Sequence, residues 1–292
     1  GGGALANEAS RLETPRSIYP LSTISEIKEW CYHEGKTFWE YVSDCEGPEI
    51  WDYLDTVWET MCATIQRGLN NDGVLPGGLK VARKASTYWV KSKSYTDSLS
   101  SRAKIYAYAL ATSEENASGG TVVTAPTCGS CGVVPAVLYY LEQTEEVPER
   151  EILKALAVAG IIGDVVKTNA SISGAECGCQ AEIGVACAMA SAAVADLYGM
   201  NIDQIEYAAE ISIEHHLGLT CDPICGLVQI PCIERNAVAA LRALNEVTLP
   251  LFITGSRKIT FDDAVKTMYE TGIDLGKKYR ETAQGGLAKL FK

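Results

Sequence analysis

Nine segments of this 292-residue sequence repeat apolar residues at the spacing of an α-helix, and this periodicity constrains the fold more than any other feature. Strand signals are short and isolated, at TVVTAP (121–126) and LPLFIT (249–254), and no βαβ alternation is present. The pattern predicts an all-α, multi-helix globular domain. The predicted helices cover residues 22–44, 49–69, 98–114, 132–144, 150–168, 180–198, 203–217, 232–245 and 261–275.

The segment 181–199 is unusually rich in Ala, Gly and Ser. Because small residues let helix backbones approach closely, we expect a central helix that is packed on several sides. A transmembrane interpretation fails on the length of the segment and on Glu182 and Asp196 near its ends. The sequence therefore predicts no membrane partner.

The first 17 residues lack an apolar pattern, so residues 1–17 are predicted to be a flexible tail or a remnant of expression or processing. Residues 18–292 are predicted to form one α-helical domain. Within it, an N-terminal helical part (18–70) precedes a core (71–292) that begins at the turn-forming run DGVLPGGL.

The formal net charge of −12 argues against nucleic-acid and anionic-membrane partners, because both favour clustered Lys and Arg. No basic segment followed by an apolar one stands near the N-terminus, so we expect a cytoplasmic rather than a secreted protein. In a reducing cytoplasm, the 11 cysteines are core residues, catalytic thiols or metal ligands rather than disulfides.

The run Cys128-Gly-Ser-Cys131 has the CxxC spacing of thioredoxin-like sites, but it lacks their βαβ context and the second cysteine pair of a zinc ribbon. Gly129 and Gly132 precede a predicted helix, whose free backbone N–H groups favour an anion. The loop is equally consistent with an anion cradle and with a Gly-rich turn that caps the helix.

Five other cysteines lie on turns broken by Gly or Pro beside predicted helix starts: Cys177, Cys179, Cys221, Cys225 and Cys232. Such positions depress the thiol pKa, which suits thiolate ligation of iron. Cys62 and Cys187 fall in apolar helical stripes and are interpreted as core residues, as are Cys31 and Cys45. Spacing alone is compatible with an iron–sulfur site but does not require one.

Four segments together resemble the iron–sulfur-dependent L-serine dehydratases. The match covers most of residues 70–290, and its last segment is highly specific. The segments are LPGGLK (75–80), EENASGGTVVTAPT (114–127) with GVVPAVLYY (132–140), SISGAECGCQAEIGVAC (171–187), and HHLGLTCDPICGLVQIPCIERNA (215–237).

The resemblance implies a [4Fe-4S] cluster held by three cysteines, with one iron left open to L-serine as a Lewis acid. It implies deamination of L-serine to pyruvate and ammonia without pyridoxal phosphate. Carried over by motif, the ligands are Cys179, Cys221 and Cys232. The roles of Cys128, Cys177 and Cys225 remain open.

The general base remains open among five candidates: Lys80, Ser118, Ser173, His215 and His216. Adjacent residues on a helix point about 100° apart, so at most one of the two histidines is expected to face the site. Loop residues suited to substrate binding are Asn116, Ser118, Gly119 and Thr127, although these residue types also form turns.

Family members carry a regulatory domain either in the same chain or on a separate β subunit, so a β subunit or domain is an expected partner, together with a homo-oligomer. Some single-chain members end in a cysteine that acts as a fourth cluster ligand. This sequence ends Leu290-Phe291-Lys292, so that ligand is not expected here.

Three other functions compete. A related iron–sulfur lyase, such as an L-cysteine desulfidase, would eliminate sulfide rather than water. A smaller change would be a dehydratase that acts on threonine instead of serine. A pyridoxal-phosphate dehydratase needs a Lys Schiff base in an α/β fold, which the all-α pattern opposes. A non-catalytic cluster-binding sensor or regulatory subunit is opposed by the ENASGG and TAPT loops.

Overall fold

The structure is a computed structural model that describes residues 18–252 and 257–290. Within these ranges it contains no β-strand, only isolated bridges between Val74 and Ala82 and between Cys221 and Arg280. The prediction of an all-α fold is confirmed. The α-helices are α1 (Ile24–Glu34), α2 (Phe38–Glu46), α3 (Glu49–Leu69), α4 (Ala85–Ser92), α5 (Asp97–Ala117), α6 (Val133–Glu145), α7 (Glu149–Asn169), α8 (Gly174–Cys177), α9 (Ile183–Leu197), α10 (Ile202–Glu214), α11 (Cys232–Phe252) and α12 (Phe261–Asp274).

Capping side chains fix where several helices begin. At the start of α1, the Thr23 hydroxyl accepts from the backbone N–H of Glu26 at 3.2 Å, and the Glu26 carboxylate accepts from the backbone N–H of Thr23 at 3.0 Å. This reciprocal pair satisfies two backbone donors that the helix itself leaves unpaired. The same arrangement begins α10, at Asn201, and α12, at Thr260.

Helix α9 is the centre of the fold, as its small residues predicted. All its residues from Ile183 to Ala195 are buried, and it packs against α6, α7, α10 and α11. In the described residues, the segment Cys179–Leu197 is long and apolar enough to cross a membrane, but 89% of that window is buried inside the fold. Helices cover its faces, as expected of a core helix.

The helix prediction was wrong in three places. Residues 22–44 form two helices, because the chain turns at Gly35 (φ +67°) before α2 begins. Helices α4 and α8 were not predicted. Neither isolated strand signal forms a strand in the described residues: 121–126 is irregular, and 249–252 continues α11 as far as Phe252, while residues 253–254 lie outside the described residues. In the latter segment, continuation of the long helix α11 overrides strand propensity.

Helices α3 and α5 cross at very close range. A Cβ at Gly68 would lie 2.4 Å from the carbonyl oxygen of Ala111, so only glycine permits this approach. Because α3 packs directly on α5, residues on both sides of the predicted boundary at residue 70 share one hydrophobic core. The division of the domain at that boundary stays a prediction, and the predicted tail 1–17 lies outside the described residues.

Candidate metal centre

Three buried cysteines converge from separate parts of the chain. Cys179 begins a 3-10 turn just before α9, Cys221 lies in an extended segment, and Cys232 is the first residue of α11. Their exposed fractions are 3%, 3% and 9%, and none is in a disulfide. The fold therefore gathers three free thiols from a stretch of about fifty residues, which spacing alone could not establish.

The three thiols influence one another electrostatically. The Cys221 thiol donates a hydrogen bond to the Cys179 sulfur, which lowers the pKa of Cys179 and raises that of Cys221. Burial raises the pKa of Cys232 to about 12. The expectation of depressed pKa values was therefore right for Cys179. It was wrong for Cys221, because the hydrogen bond to Cys179 favours its thiol form, and wrong for Cys232, because burial disfavours its thiolate.

The backbone around these cysteines is held on several sides. The N–H of Cys221 donates to the Tyr279 carbonyl at 2.8 Å, and its carbonyl accepts from the N–H of Glu281 at 2.6 Å. The fully buried side chain of Gln180 donates to the carbonyls of Cys177 and Met268, each at 2.9 Å. These bonds fix the positions from which the Cys179 and Cys221 side chains project.

Asn236 joins the CxxC loop to the start of α11. Its side-chain oxygen accepts from the N–H of Gly132 at 2.9 Å, and its amide nitrogen donates to the carbonyls of Gly129 and Cys232 at 2.8 and 2.9 Å. The loop that begins at Thr127 therefore lies directly beside Cys232. Asn236 stands in the ERN run of the sequence, but nothing in its spacing pointed to this role.

Glu182 is a buried carboxylate that the sequence analysis did not select. It is 4% exposed, and its Oε1 accepts a hydrogen bond from the Thr127 hydroxyl at 2.9 Å. Burial raises the pKa of Glu182, and its charge in turn raises the pKa of all three cysteines. Its position three residues after Cys179 was the available signal, since positions three apart lie on one helical face.

Glycines flank this carboxylate on two sides. A Cβ at Gly129 would lie 3.1 Å from Oε2 of Glu182. A Cβ at Gly174 would lie 2.8 Å from the same oxygen and 3.0 Å from the sulfur of Cys221. The CxxC loop thus contacts an anion of the protein itself.

Arg235 is a second residue that the sequence analysis missed. Its guanidinium donates to the Thr220 carbonyl at 2.7 Å and lies 3.8 Å from the Asp222 carboxylate. Its positive charge favours the thiolate forms of Cys179 and Cys232. Arg235 follows Cys232 by three residues on α11, so the same helical spacing was the signal here.

Both candidate histidines line one cavity of about 450 Å³, together with Arg235 and Arg242. Because α10 ends at Glu214, the two histidines lie beyond its last turn, and the angle expected between adjacent helical side chains does not apply to them. Both rings therefore reach this cavity. His215 is exposed, whereas His216 is 5% exposed and burial lowers its pKa to about 4. His216 Nδ1 lies 2.6 Å from the carbonyl oxygen of Ser212.

The other candidate bases lie in different settings. Lys80 is exposed in a loop, at φ +50°. Ser118 is also exposed, and its hydroxyl accepts from Arg83 at 2.7 Å and donates to the Glu114 carbonyl at 2.8 Å. Ser173 is half-buried at the start of α8.

The candidate substrate-binding residues divide into two groups. Asn116 donates to the carbonyl of Cys128 at 3.1 Å, so it lies against the loop that contains Thr127. Ser118 and Gly119 are exposed beyond the end of α5. The structure places Thr127 against Glu182, beside the cysteines. It describes no contact of Ser118 or Gly119 with these cysteines.

The remaining loop cysteines differ from one another. Cys225 is exposed at φ +55°, and Cys128 is half-buried. Cys177 is buried, which raises its pKa. Among the described residues, no three His, Cys, Asp or Glu side chains close on a single metal ion.

A helical fold that gathers three buried thiols between a carboxylate and a guanidinium defines a protein with a cysteine-rich centre. A sequence profile of one family, "Serine dehydratase alpha chain", matches residues 7–288. The chain belongs to this family.

Curated relatives agree along nearly the whole chain. "L-serine dehydratase 2" of Escherichia coli is 44% identical over 305 residues, and "L-serine dehydratase" of Haemophilus influenzae is 44% identical over 306. A relative of the same name from Streptomyces coelicolor is 44% identical over 301 residues. Each match covers 99% of this chain and 66% of the relative, so the chain spans slightly less than two thirds of their length.

Proposed function

We propose that this chain carries the catalytic centre of a [4Fe-4S]-dependent L-serine dehydratase, which deaminates L-serine to pyruvate and ammonia. The names of the relatives support the reaction and the substrate. The observation that carries the proposal is the convergence of Cys179, Cys221 and Cys232 at one buried place.

The residues present fit such a cluster. Thiolates are the usual ligands of iron–sulfur clusters, and three free thiols are available here. Gly174 leaves the space beside the Cys221 sulfur without a side chain, since a Cβ there would lie 3.0 Å from that sulfur. A cluster spreads its ligands over several irons, so its cysteines need not close on one ion.

With three cysteine ligands, one iron of the cluster would supply a Lewis acid for the substrate's carboxylate and β-hydroxyl. The protein must then provide a base for the Cα proton. Loss of that proton and of hydroxide gives aminoacrylate, which tautomerises and hydrolyses to pyruvate and ammonia.

His216 has the most specific geometry of the five candidate bases. Because the Ser212 carbonyl only accepts hydrogen bonds, Nδ1 of His216 carries the ring proton, which leaves Nε2 as an acceptor. With its pKa lowered to about 4, the ring is neutral at neutral pH. It lines the cavity that Arg235 also lines, and Arg235 lies beside Cys179. We assign the proton-accepting role to His216.

Each of these relatives extends beyond the 66% of its length that this chain matches. We propose that a β subunit or domain completes the enzyme, that the assembly is a homo-oligomer, and that it works in the cytoplasm. The net charge of −12 supports the absence of a nucleic-acid partner.

The test is anaerobic reconstitution of the chain with iron and sulfide, followed by assays with L-serine, L-threonine and L-cysteine. We expect a brown protein that forms pyruvate from L-serine and loses activity in air. Faster sulfide release from L-cysteine would favour a desulfidase instead. A cluster-loaded protein inactive on all three would favour a sensor, and a colourless protein active with pyridoxal phosphate would contradict the proposal.

A further inference from the structure

Glu182 occupies a distinctive position beside the cysteines. It directly precedes α9, and its side chain reaches Thr127 on one side and the Gly174 turn on the other. Its negative charge acts on Cys179, Cys221 and Cys232, so it lies close to all three thiols. The mechanism proposed above gives this carboxylate no task.

The orientation of the carboxylate is fixed by hydrogen bonding. The Thr127 hydroxyl donates to Oε1 of Glu182 at 2.9 Å and lies 3.2 Å from the hydroxyl of Ser130, which is fully buried. Because these groups are held within a packed loop, the Glu182 side chain has little freedom to turn away. Its Oε2 is therefore held near the Cys221 sulfur.

Gly174 lies against both Oε2 of Glu182 and the Cys221 sulfur. The point where a Gly174 Cβ would stand is 2.8 Å from the oxygen and 3.0 Å from the sulfur. The oxygen and the sulfur therefore lie close together, on the same side of Gly174.

The charge of Glu182 also calls for a cation. Burying a carboxylate is costly unless it is paired, and no described Lys, Arg or His side chain forms an ion pair with Glu182. On another side of the same thiols stands the guanidinium of Arg235. An amino acid is a zwitterion, and a site with opposite charges on two sides matches it.

We propose that the Glu182 carboxylate binds the α-ammonium group of the amino-acid substrate and so selects amino acids over hydroxy acids of the same shape. This inference rests on the function proposed above. Thr127 is then a positioning residue, because its hydroxyl orients the carboxylate rather than touching the substrate.

The test is calorimetric binding of two unreactive ligands, L-alanine and propanoate, to the cluster-loaded chain. The two ligands share a carboxylate and differ in the ammonium group. We compare the parent chain with Glu182→Gln, with Glu182→Asp, and with Glu114→Gln as a control. Glu114 is a buried carboxylate that accepts from the backbone of α4, with no assigned part in the site.

We expect Glu182→Gln to weaken L-alanine binding by about tenfold or more, as loss of a charged hydrogen bond does, and to leave propanoate within about twofold. Glu182→Asp should lie between Gln and the parent chain, and Thr127→Val should weaken L-alanine selectively but less. The KM for L-serine should rise in Glu182→Gln, and Glu114→Gln should match the parent chain.

Equal weakening of both ligands in Glu182→Gln would indicate a structural role and overturn the inference. Unchanged binding of L-alanine would do the same, as would a parent chain that fails to prefer L-alanine over propanoate. Iron and sulfide content and circular dichroism of each variant verify that the fold and cluster persist. If Glu182→Asp is the only Glu182 variant that retains the fold and the cluster, the inference is judged by the preference of that variant for L-alanine over propanoate. Failure of the parent chain to turn over L-serine contradicts the proposed function instead.

Discussion

The side-chain amide of Asn236, on α11, donates to the carbonyl of Gly129 at 2.8 Å, across 107 positions of the chain. The same side chain accepts from Gly132 and donates to Cys232. Asn236 is 1% exposed, so its loss would leave buried backbone groups without partners. One residue thus ties the loop that contacts Glu182 to the helix that begins with a candidate cluster ligand.

Replacing Asn236 by Ala should therefore lower the free energy of unfolding by about 2–4 kcal/mol, since several buried hydrogen bonds are lost together. The control is Asn245→Ala, at an exposed position on the same helix, which should change it by less than about 0.5 kcal/mol. Urea unfolding of the two variants and the parent chain measures both values. Equal effects of the two substitutions would contradict the role given to Asn236.

The close packing around Gly174 should be sensitive to the addition of a single methyl group at this position. Gly174→Ala places a Cβ against Glu182 and Cys221, so we expect a loss of about 1–3 kcal/mol in unfolding free energy from overpacking, and less L-serine turnover. Gly160→Ala is the control, because its Cβ would meet nothing within 4 Å on α7. That variant should be more stable by about 0.5–1 kcal/mol with unchanged turnover. A Gly174→Ala chain as stable and active as Gly160→Ala would contradict the close packing of Gly174 against Glu182 and Cys221.

Local sequence signals predicted most of the helices, because apolar periodicity and caps act over a few residues. The single helix expected over 22–44 shows the limit, since Gly35 ends α1 by a backbone conformation that periodicity does not register. Resemblance, rather than spacing, selected Cys179, Cys221 and Cys232. Glu182 was missed because its partner Thr127 is 55 residues away, and such a contact exists only after the helices have packed.

His216 should make the stability of the fold depend on pH. Its ring has an ordinary pKa of 6.5 and a folded-state pKa of about 4, so the unfolded chain binds the proton more readily. His216 therefore has no effect on stability well above pH 6.5, and it destabilises the fold progressively as the pH falls from 6.5 towards 4. The shift amounts to about 3 kcal/mol at most.

Urea unfolding at pH 7 and pH 4.5 measures this effect. His216→Gln should lose less stability between the two pH values than the parent chain does, whereas His33→Gln should behave like the parent, because the His33 side chain is 85% exposed. The same pH dependence in all three chains would mean that His216 is not held neutral in the fold.

The identity of the cluster ligands is tested most directly by counting iron and acid-labile sulfide in single-cysteine variants after anaerobic reconstitution. The parent chain should hold about four irons and four sulfides. Cys179→Ser, Cys221→Ser and Cys232→Ser should each lose most of both, while Cys62→Ser, in α3, and the exposed Cys225→Ser should match the parent. Full iron and sulfide in the first three variants, or an equal loss in all five, would contradict a cluster held by Cys179, Cys221 and Cys232.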